Sequence, residues 1–451
     1  MHRQSNWIPA AFAALLSAVA AAPASAQACN NTSVGSTPLS DLDGRYMGAE
    51  GGLYPGGGNA RPEPHDVAGL AESSRVVPLD AAGNPDPVNG KIVFISIGMS
   101  NTRNHFQAFV PLANGDADRD PRVVVINAAQ GGQSAQAIDS PNAPYWTNVD
   151  QRLAQAGVTP EQVQVFWFLE ANPGPTDPFP QHAQTLTSQF TAIMQIMRDR
   201  YTNGRLCYLA SRIYAGYATT ALNPEPYAYE QGFANKWLIR DQMQGAANLN
   251  FDPSEGPVEA PWIAWGPYMW ADGLVPRSDG LTWECSDFAP DGTHPNPQGS
   301  AKVAEALLEF VHSDATASCW YLAEPAPAAF GTAQTAAAGN VPAIGWNGEP
   351  SPSGSFELGI ENGVPNQFSL AFFGEQVVRA PFIGGTRYVG LPLVRLPVQV
   401  TDASGAASYA IPVTGAMVGR TFYYQFFLRD PANANGFGSI SSDALRVCFY
   451  E

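Results

Sequence analysis

Asp291 and His294 stand three residues apart in SDFAPDGTHPNPQGSAKVAEALLEF, residues 286–310, where an irregular stretch runs into a helical pattern. The chain has six histidines in 451 residues, so an imidazole beside a carboxylate is an uncommon pairing here. A neutral imidazole can take a proton from a hydroxyl, and a neighbouring carboxylate fixes its tautomer and steadies the cation that forms. At i and i+3 the two side chains meet within one turn of irregular or 3-10 chain. A surface loop can also hold such a pair without chemistry. A nucleophile elsewhere in the chain separates the two cases.

Three further positions complete an acyl-transfer set. Ser100 lies in GMSNT, Gly131 and Gly132 in AAQGGQS, and Asn172 in EANPGP. Singly, each has a plainer explanation: a Ser ahead of a helix is an N-cap, a Gly pair is a turn, and an Asn before Pro forms a turn. Together they offer a hydroxyl nucleophile at Ser100, a base at His294 and an orienting carboxylate at Asp291. The Ser100 and Gly131 N–H groups and the Asn172 amide are the candidate oxyanion donors. The sequence does not separate Gly131 from Gly132. His105, five residues past Ser100, is the rival base; it reads as a packed or surface helix histidine, as do His65 and His182. G-x-S-x-G is absent, which argues against the nucleophile-elbow hydrolases. NGDADRD (114–120) has Arg119 where a calcium loop needs Gly, and no H-E-x-x-H or C-x-x-C occurs, so no metal site has support.

Each candidate follows an apolar run. KIVFISIG (91–98), RVVVINAA (122–129), VQVFWFLEA (163–171), RLCYLASRI (205–213) and PWIAWGPY (261–268) are rich in β-branched and aromatic residues with little alternation, as in strands buried on both faces. Helical patterns over 144–157, 177–201, 229–244 and 297–312, with another behind Ser100, alternate with them. Strands alternating with helices predict a three-layer α/β domain around a parallel sheet, with chemistry at the carboxyl ends of its strands.

The order and spacing of these blocks resemble the SGNH (GDSL-like) hydrolase superfamily of esterases, lipases and acyltransferases, whose fold is flavodoxin-like α/β/α. DGTHP (291–295) matches its last block in full. GMSN (98–101) looks like the G-Q-S-N variant of sialate O-acetylesterase and acetylxylan esterase relatives. AAQGG fits the block that supplies Gly. EANP departs from the usual G-x-N-D, with Glu170 in place of the Gly and Pro173 in place of the Asp. The resemblance covers about residues 91 to 312. It implies a serine esterase working through Ser100, His294 and Asp291, with Ser100, Gly131 and Asn172 around the oxyanion and no metal or organic cofactor.

The remaining sequence frames this reading. Residues 1–26 have a basic Arg3, an apolar run and ASA at a cleavage site, the pattern of a secretory signal, so the protein is expected to be secreted or periplasmic. No later segment is long and apolar enough to span a membrane. Five cysteines, Cys29, Cys207, Cys285, Cys319 and Cys448, can pair in an oxidising compartment with one left over; Cys285 and Cys319, which bracket the Asp/His loop and its helix, are the expected staple. A net charge of −17 argues against nucleic acid and anionic membrane as partners. Residues 27–90 are a Gly/Pro-rich segment expected to pack on a hydrolase domain at 91–320, and the stretch 46–66 is too Gly- and Pro-heavy for a regular element. An Ala/Pro/Gly-rich linker covers 321–345, and short alternating runs over 346–451 predict an all-β sandwich. Arg212, Tyr214, Tyr217, Tyr229 and Lys236, after the fourth run, form an aromatic and basic cluster that reads either as a substrate wall or as packing. The expected activity is hydrolysis of short acyl esters on an extracellular carbohydrate or a polyester. An acyltransferase with the same residues and a non-catalytic carbohydrate- or surface-binding protein are the alternatives.

Overall fold

A computed structural model describes residues 28–451 of the chain. The expected leader lies outside the described residues. The apolar runs form β1 (Ile92–Gly98), β2 (Val123–Ile126), β3 (Val163–Leu169), β4 (Leu206–Leu209) and β5 (Trp262–Trp265). Every residue of β1, β3, β4 and β5 is buried, which is why these runs show so little alternation. Neighbours pair in parallel, with Phe94 of β1 opposite Val125 of β2 on one side and Val165 of β3 on the other. The order is β2-β1-β3-β4-β5. This is the flavodoxin-like order, in which the winding direction reverses between β1 and β3 and leaves a crevice at their carboxyl ends.

The longer helices are α1 (Glu63–Ser73), α2 (Ser100–Gly115), α3 (Pro144–Gln155), α4 (Gln181–Arg200), α5 (Tyr227–Met243) and α6 (Pro297–Ser313). Right-handed crossovers running in opposite directions put α2 on one face of the sheet and α3, α4 and α5 on the other. α6 packs on α2, and α4 packs on α5. α3 stops where Gly157 takes φ +69° and the Gly157 and Val158 N–H groups donate back to Ala154 and Leu153.

The segment 46–66 is not irregular throughout, because α1 begins at Glu63. Pro62 is its N-cap and Pro64 lies in the first turn, where a missing N–H leaves nothing unbonded. Residues read as breakers are therefore a helix start. α1 lies against the sheet so closely that a Cβ on Gly69 would stand 2.4 Å from the Trp262 ring. Its Val67 and Leu70 share a second cluster with Phe330, Val377, Tyr388 and Tyr423 of the C-terminal region, and Tyr423 Oη donates to the Leu70 carbonyl at 3.1 Å.

The C-terminal region is antiparallel. Phe368–Gly374, Thr421–Arg429 and Ser439–Cys448 form the middle of one sheet; Ala343–Asn347, Phe356–Glu361 and Ala407–Ile411 form another. Leu358 and Ile360 of the smaller sheet bury with Phe426, Leu428 and Leu445 of the larger, the interior of a sandwich. The stretch expected to be a linker is not free of regular structure. Ala328–Phe330 pairs with Ser439–Cys448, and Ala343–Asn347 with Phe356–Glu361. Strands of three and five residues in Ala-rich sequence have too little pattern to be seen in advance.

The expected Cys285–Cys319 staple is replaced by two longer ones. Cys29 pairs with Cys285 and Cys319 with Cys448, and Cys207 is buried in β4 without a partner sulfur. Closeness in sequence favoured the wrong pair, because the N-terminal segment returns to the Asp/His loop and the last strand returns to the end of the α/β region. The Cys319–Cys448 bridge closes a separation of 129 residues. Replacing both by Ser is expected to cost about 2–4 kcal/mol of unfolding free energy, read as a lower denaturant midpoint. An unchanged midpoint would mean that the noncovalent contacts, those of α1 and the Arg446–Ser318 hydrogen bond among them, suffice to hold the two regions together.

Candidate active site

Ser100 opens α2 directly after β1. The turn between them depends on Gly98, whose φ is +150°. A Cβ there would stand 2.2 Å from the Leu169 carbonyl oxygen and 2.4 Å from Thr102 Oγ1, so only glycine fits. Tyr145 Oη accepts from the Gly98 N–H at 2.9 Å, the Gly98 carbonyl accepts from the Gln130 N–H at 2.9 Å, and Thr102 Oγ1 donates to the Leu169 carbonyl at 2.6 Å. The N-cap is Met99, and it makes no side-chain capping bond. Ser100 is therefore the first helical residue, and its hydroxyl is not spent on capping.

The hydroxyl meets His294 instead, with 2.7 Å between Oγ and Nε2. His294 Nδ1 lies 2.5 Å from Asp291 Oδ2. Asp291 Oδ1 accepts from the Thr293 and His294 N–H groups, each at 3.0 Å, so one carboxylate shapes its own loop and holds the ring. Partial burial pushes the Asp291 carboxyl up, but these N–H bonds and the imidazole outweigh it and hold its pKa below the ordinary value. The loop has its own supports. Gly292 takes φ +64° with Tyr217 O where a Cβ would be, Ala289 donates to the His294 carbonyl at 2.8 Å, and the Asn296 side chain caps α6 by accepting from Gln298 and Gly299.

Ser100 and His294 line a cavity of about 70 Å³ together with Gly132, Asn172 and Arg212. Of the two glycines it is Gly132, at φ +76°, that reaches the cavity. Gly131, the expected donor, does not line the cavity, and a Cβ on it would stand 3.2 Å from Arg103 Nη1. The one-residue difference is set by the turn, which sequence spacing did not resolve. Asn172 reaches the cavity despite the altered block around it. Its Oδ1 accepts from the Gln136 N–H at 3.0 Å and its Nδ2 donates to Gln189 Oε1 at 2.6 Å, which fixes the amide and leaves its second N–H uncommitted to these partners. Glu170, in the place of the family's glycine, is fully buried, and burial raises its carboxyl well above the ordinary range.

The expected substrate wall divides. Arg212 lines the cavity, but Tyr214, Tyr217 and Lys236 do not. Tyr214 Oη donates to the Asn31 carbonyl at 2.7 Å, Tyr217 Oη to the Trp283 carbonyl at 2.8 Å and Tyr229 Oη to the Thr37 carbonyl at 2.7 Å. Lys236 Nζ donates to the Glu50 carbonyl at 3.0 Å and to the Gly51 carbonyl. Tyr214, Tyr229 and Lys236 fasten the N-terminal segment and Tyr217 fastens the stretch ahead of the histidine loop, roles invisible without knowing which segments meet there. Asn101, Thr293 and Asn223 are cavity residues the sequence did not single out. Asn101 Nδ2 donates to the Thr293 carbonyl at 3.2 Å, tying α2 to the histidine loop, and an Asn directly after the nucleophile was the only signal available for it. His105 is buried away from this cavity, and burial, with Arg212 adding to it, drives its pKa down to about 3. A larger open cleft, about 670 Å³, lies beside Glu50, Phe179 and Trp237, but no histidine lines it. Among the described residues no three His, Cys, Asp or Glu side chains are grouped to hold a metal ion, and no helix is long and apolar enough to cross a membrane.

No protein-family model matches the sequence, and no curated protein matches it. Solved structures align loosely. The lipopolysaccharide acetyltransferase periplasmic domain of Salmonella ser. Paratyphi A is 12% identical with a TM-score of 0.27, over 54% of this chain and 94% of that one. The salicylyl-acyltransferase SsfX3 from a tetracycline biosynthetic pathway is 15% identical with a TM-score of 0.25, over 50% of this chain and 55% of that one. A β-glucosidase from Listeria innocua is 8% identical with a TM-score of 0.18, over 84% and 49%. At these values no activity passes from those proteins to this chain.

The Gly98 turn can be tested without any substrate. Gly98→Ala is expected to cost about 3 kcal/mol or more, because both atoms in the way are held by hydrogen bonds. Thermal unfolding reads it, and a Tm equal to wild type would mean that the β1–α2 turn relaxes freely.

Proposed function

We propose that the protein is an exported serine esterase of SGNH type, with the α/β region at 91–320 catalytic and the β region at 346–451 accessory. The observation that carries this is the chain of contacts from Ser100 Oγ through His294 to Asp291, at 2.7 and 2.5 Å. His294 Nε2 takes the Ser100 proton as Oγ attacks the ester carbonyl, and the Asp291 carboxylate faces the imidazolium that forms. The oxyanion is met by the Ser100 N–H at the start of α2, the Gly132 N–H and the free N–H of Asn172. His294 then protonates the leaving alkoxide. A water enters, gives its proton to His294 and releases the acid from the acyl-enzyme.

The cavity volume of about 70 Å³ supports a short acyl group. The two disulfides fit an oxidising compartment. The alcohol part is an extracellular carbohydrate or another polymer bearing small acyl groups.

Two measurements test the reading. Hydrolysis of a chromogenic acetate, butyrate and octanoate series is expected to fall steeply with chain length and to drop about 10⁴-fold or more in Ser100→Ala. Equal turnover by wild type and Ser100→Ala would sink the assignment, and faster acyl transfer to a sugar acceptor than to water would make the same residues an acyltransferase. Asp291→Asn is expected to lower kcat about 100-fold or more while the protein stays folded, since the ring loses the partner that sets its tautomer. Full activity in that variant would remove Asp291 from the mechanism.

A further inference from the structure

The loop after β4 holds a charge that the proposed hydrolysis does not use. Arg212 is 1% exposed and lines the same cavity as Ser100 and His294. Its Nε donates to Asn223 Oδ1 at 3.3 Å, and its Nη2 has no hydrogen-bond partner. The nearby acids are spent on other donors. Glu225 accepts from the Ala215 N–H at 2.9 Å, Trp270 Nε1 at 2.8 Å and the Tyr229 N–H at 3.0 Å. Asp291 is occupied by its own loop and by His294. Burial lowers the guanidinium pKa to about 10, with Glu225 and Asp291 pulling the other way, so the group remains a cation at neutral pH. A buried cation with an idle donor is expensive to keep, and a side chain so placed is explained by an anion that arrives later.

The sheet says where that anion belongs. In the order β2-β1-β3-β4 the carboxyl-end loops present Gly132, Ser100, Asn172 and Arg212 in turn. Neighbouring strands lie about 4.8 Å apart. Arg212 therefore stands one strand beyond Asn172, and Asn223 links the two by accepting from Arg212 and donating to the Asn172 carbonyl at 3.4 Å. A carbonyl held between Gly132 and Asn172 leaves Arg212 a few bonds away.

Resting on the esterase reading above, we infer that the substrate is an ester carrying a carboxylate within a few bonds of the scissile carbonyl, and that Arg212 binds that carboxylate. The guanidinium offers the planar donors that a carboxylate matches. The carboxylate comes either from the acyl side, as in a half-ester of a dicarboxylic acid, or from the alcohol side, as in an acyl group on a hydroxyl of a sugar acid. With a net charge of −17 the protein repels anions at long range, so this recognition is local and serves selectivity more than capture.

The test compares matched pairs. Mono-4-nitrophenyl succinate against 4-nitrophenyl butyrate probes the acyl side, and O-acetyl-lactate against O-acetyl-lactamide probes the alcohol side. In wild type, kcat/KM is expected to favour the carboxylate member of one pair by about 10- to 100-fold. The ratio is expected to collapse to about 1 in Arg212→Gln and to recover in part in Arg212→Lys. A wild-type ratio near 1 in both pairs overturns the inference without any variant, and so does a preference that survives in Arg212→Gln. Absence of turnover on every ester overturns the esterase reading instead. Calorimetric titration of Ser100→Ala with O-acetyl-lactate and O-acetyl-lactamide then decides the carboxylate site. Binding of the acid alone supports it, and equal or absent binding of the two removes it.

Discussion

The contact between Ser100 Oγ and His294 Nε2 joins positions 194 residues apart, and much of the α/β region is arranged to make that distance short. One partner sits at the start of α2 and the other in the loop entering α6, and these two helices pack on each other. The helix pair brings the two ends together, and two glycines set the final approach. Gly98 lets β1 turn into α2 against the Leu169 carbonyl, and Gly292 lets the histidine loop pass against Tyr217. Helix packing alone positions side chains to about a turn of helix. The backbone contacts at these glycines reduce that latitude to what a proton transfer needs.

Several buried polar groups near the same rim lack partners. Glu170 Oε1, both ring nitrogens of His105 and Arg212 Nη2 are buried without hydrogen-bond partners. Glu170 follows β3 directly, and Arg212 lies close enough to His105 to depress its pKa. Burial keeps the carboxyl and the imidazole neutral, which lowers the cost of leaving them unpaired, but the guanidinium has no such escape. Unpartnered polar atoms are buried elsewhere too, at Trp167 within β3, at His182 and at Arg446.

What could be read in advance follows the range of the interactions involved. The five strands, the helices α2 to α6 and the Asp291–His294 pair depend on local pattern and were legible as such. Ser100 was legible because it follows a buried strand. Gly131 and Gly132 could not be separated because spacing fixes a loop only to within a residue, whereas the turn itself distinguishes neighbours. Tyr214, Tyr217 and Lys236 looked like a binding wall because their partners, the carbonyls of Asn31, Trp283, Glu50 and Gly51, are remote in sequence. The disulfides failed for the same reason: each joins segments whose meeting depends on the finished fold. α1 was missed for a local reason, since Pro62 and Pro64 stop a helix in its interior and start one at its first turn.

The last regular element of the chain, Ser439–Cys448, is not at the edge of its sheet. It pairs with Thr421–Arg429 on one side and Ala328–Phe330 on the other, and its final residue bonds back to Cys319. The strand is thereby tied to the α/β region twice over, through Ala328–Phe330, which follows that region closely, and through the bond to Cys319. A pull between the two regions loads sheet hydrogen bonds and a disulfide in parallel, so the junction resists force where a bare linker would simply extend.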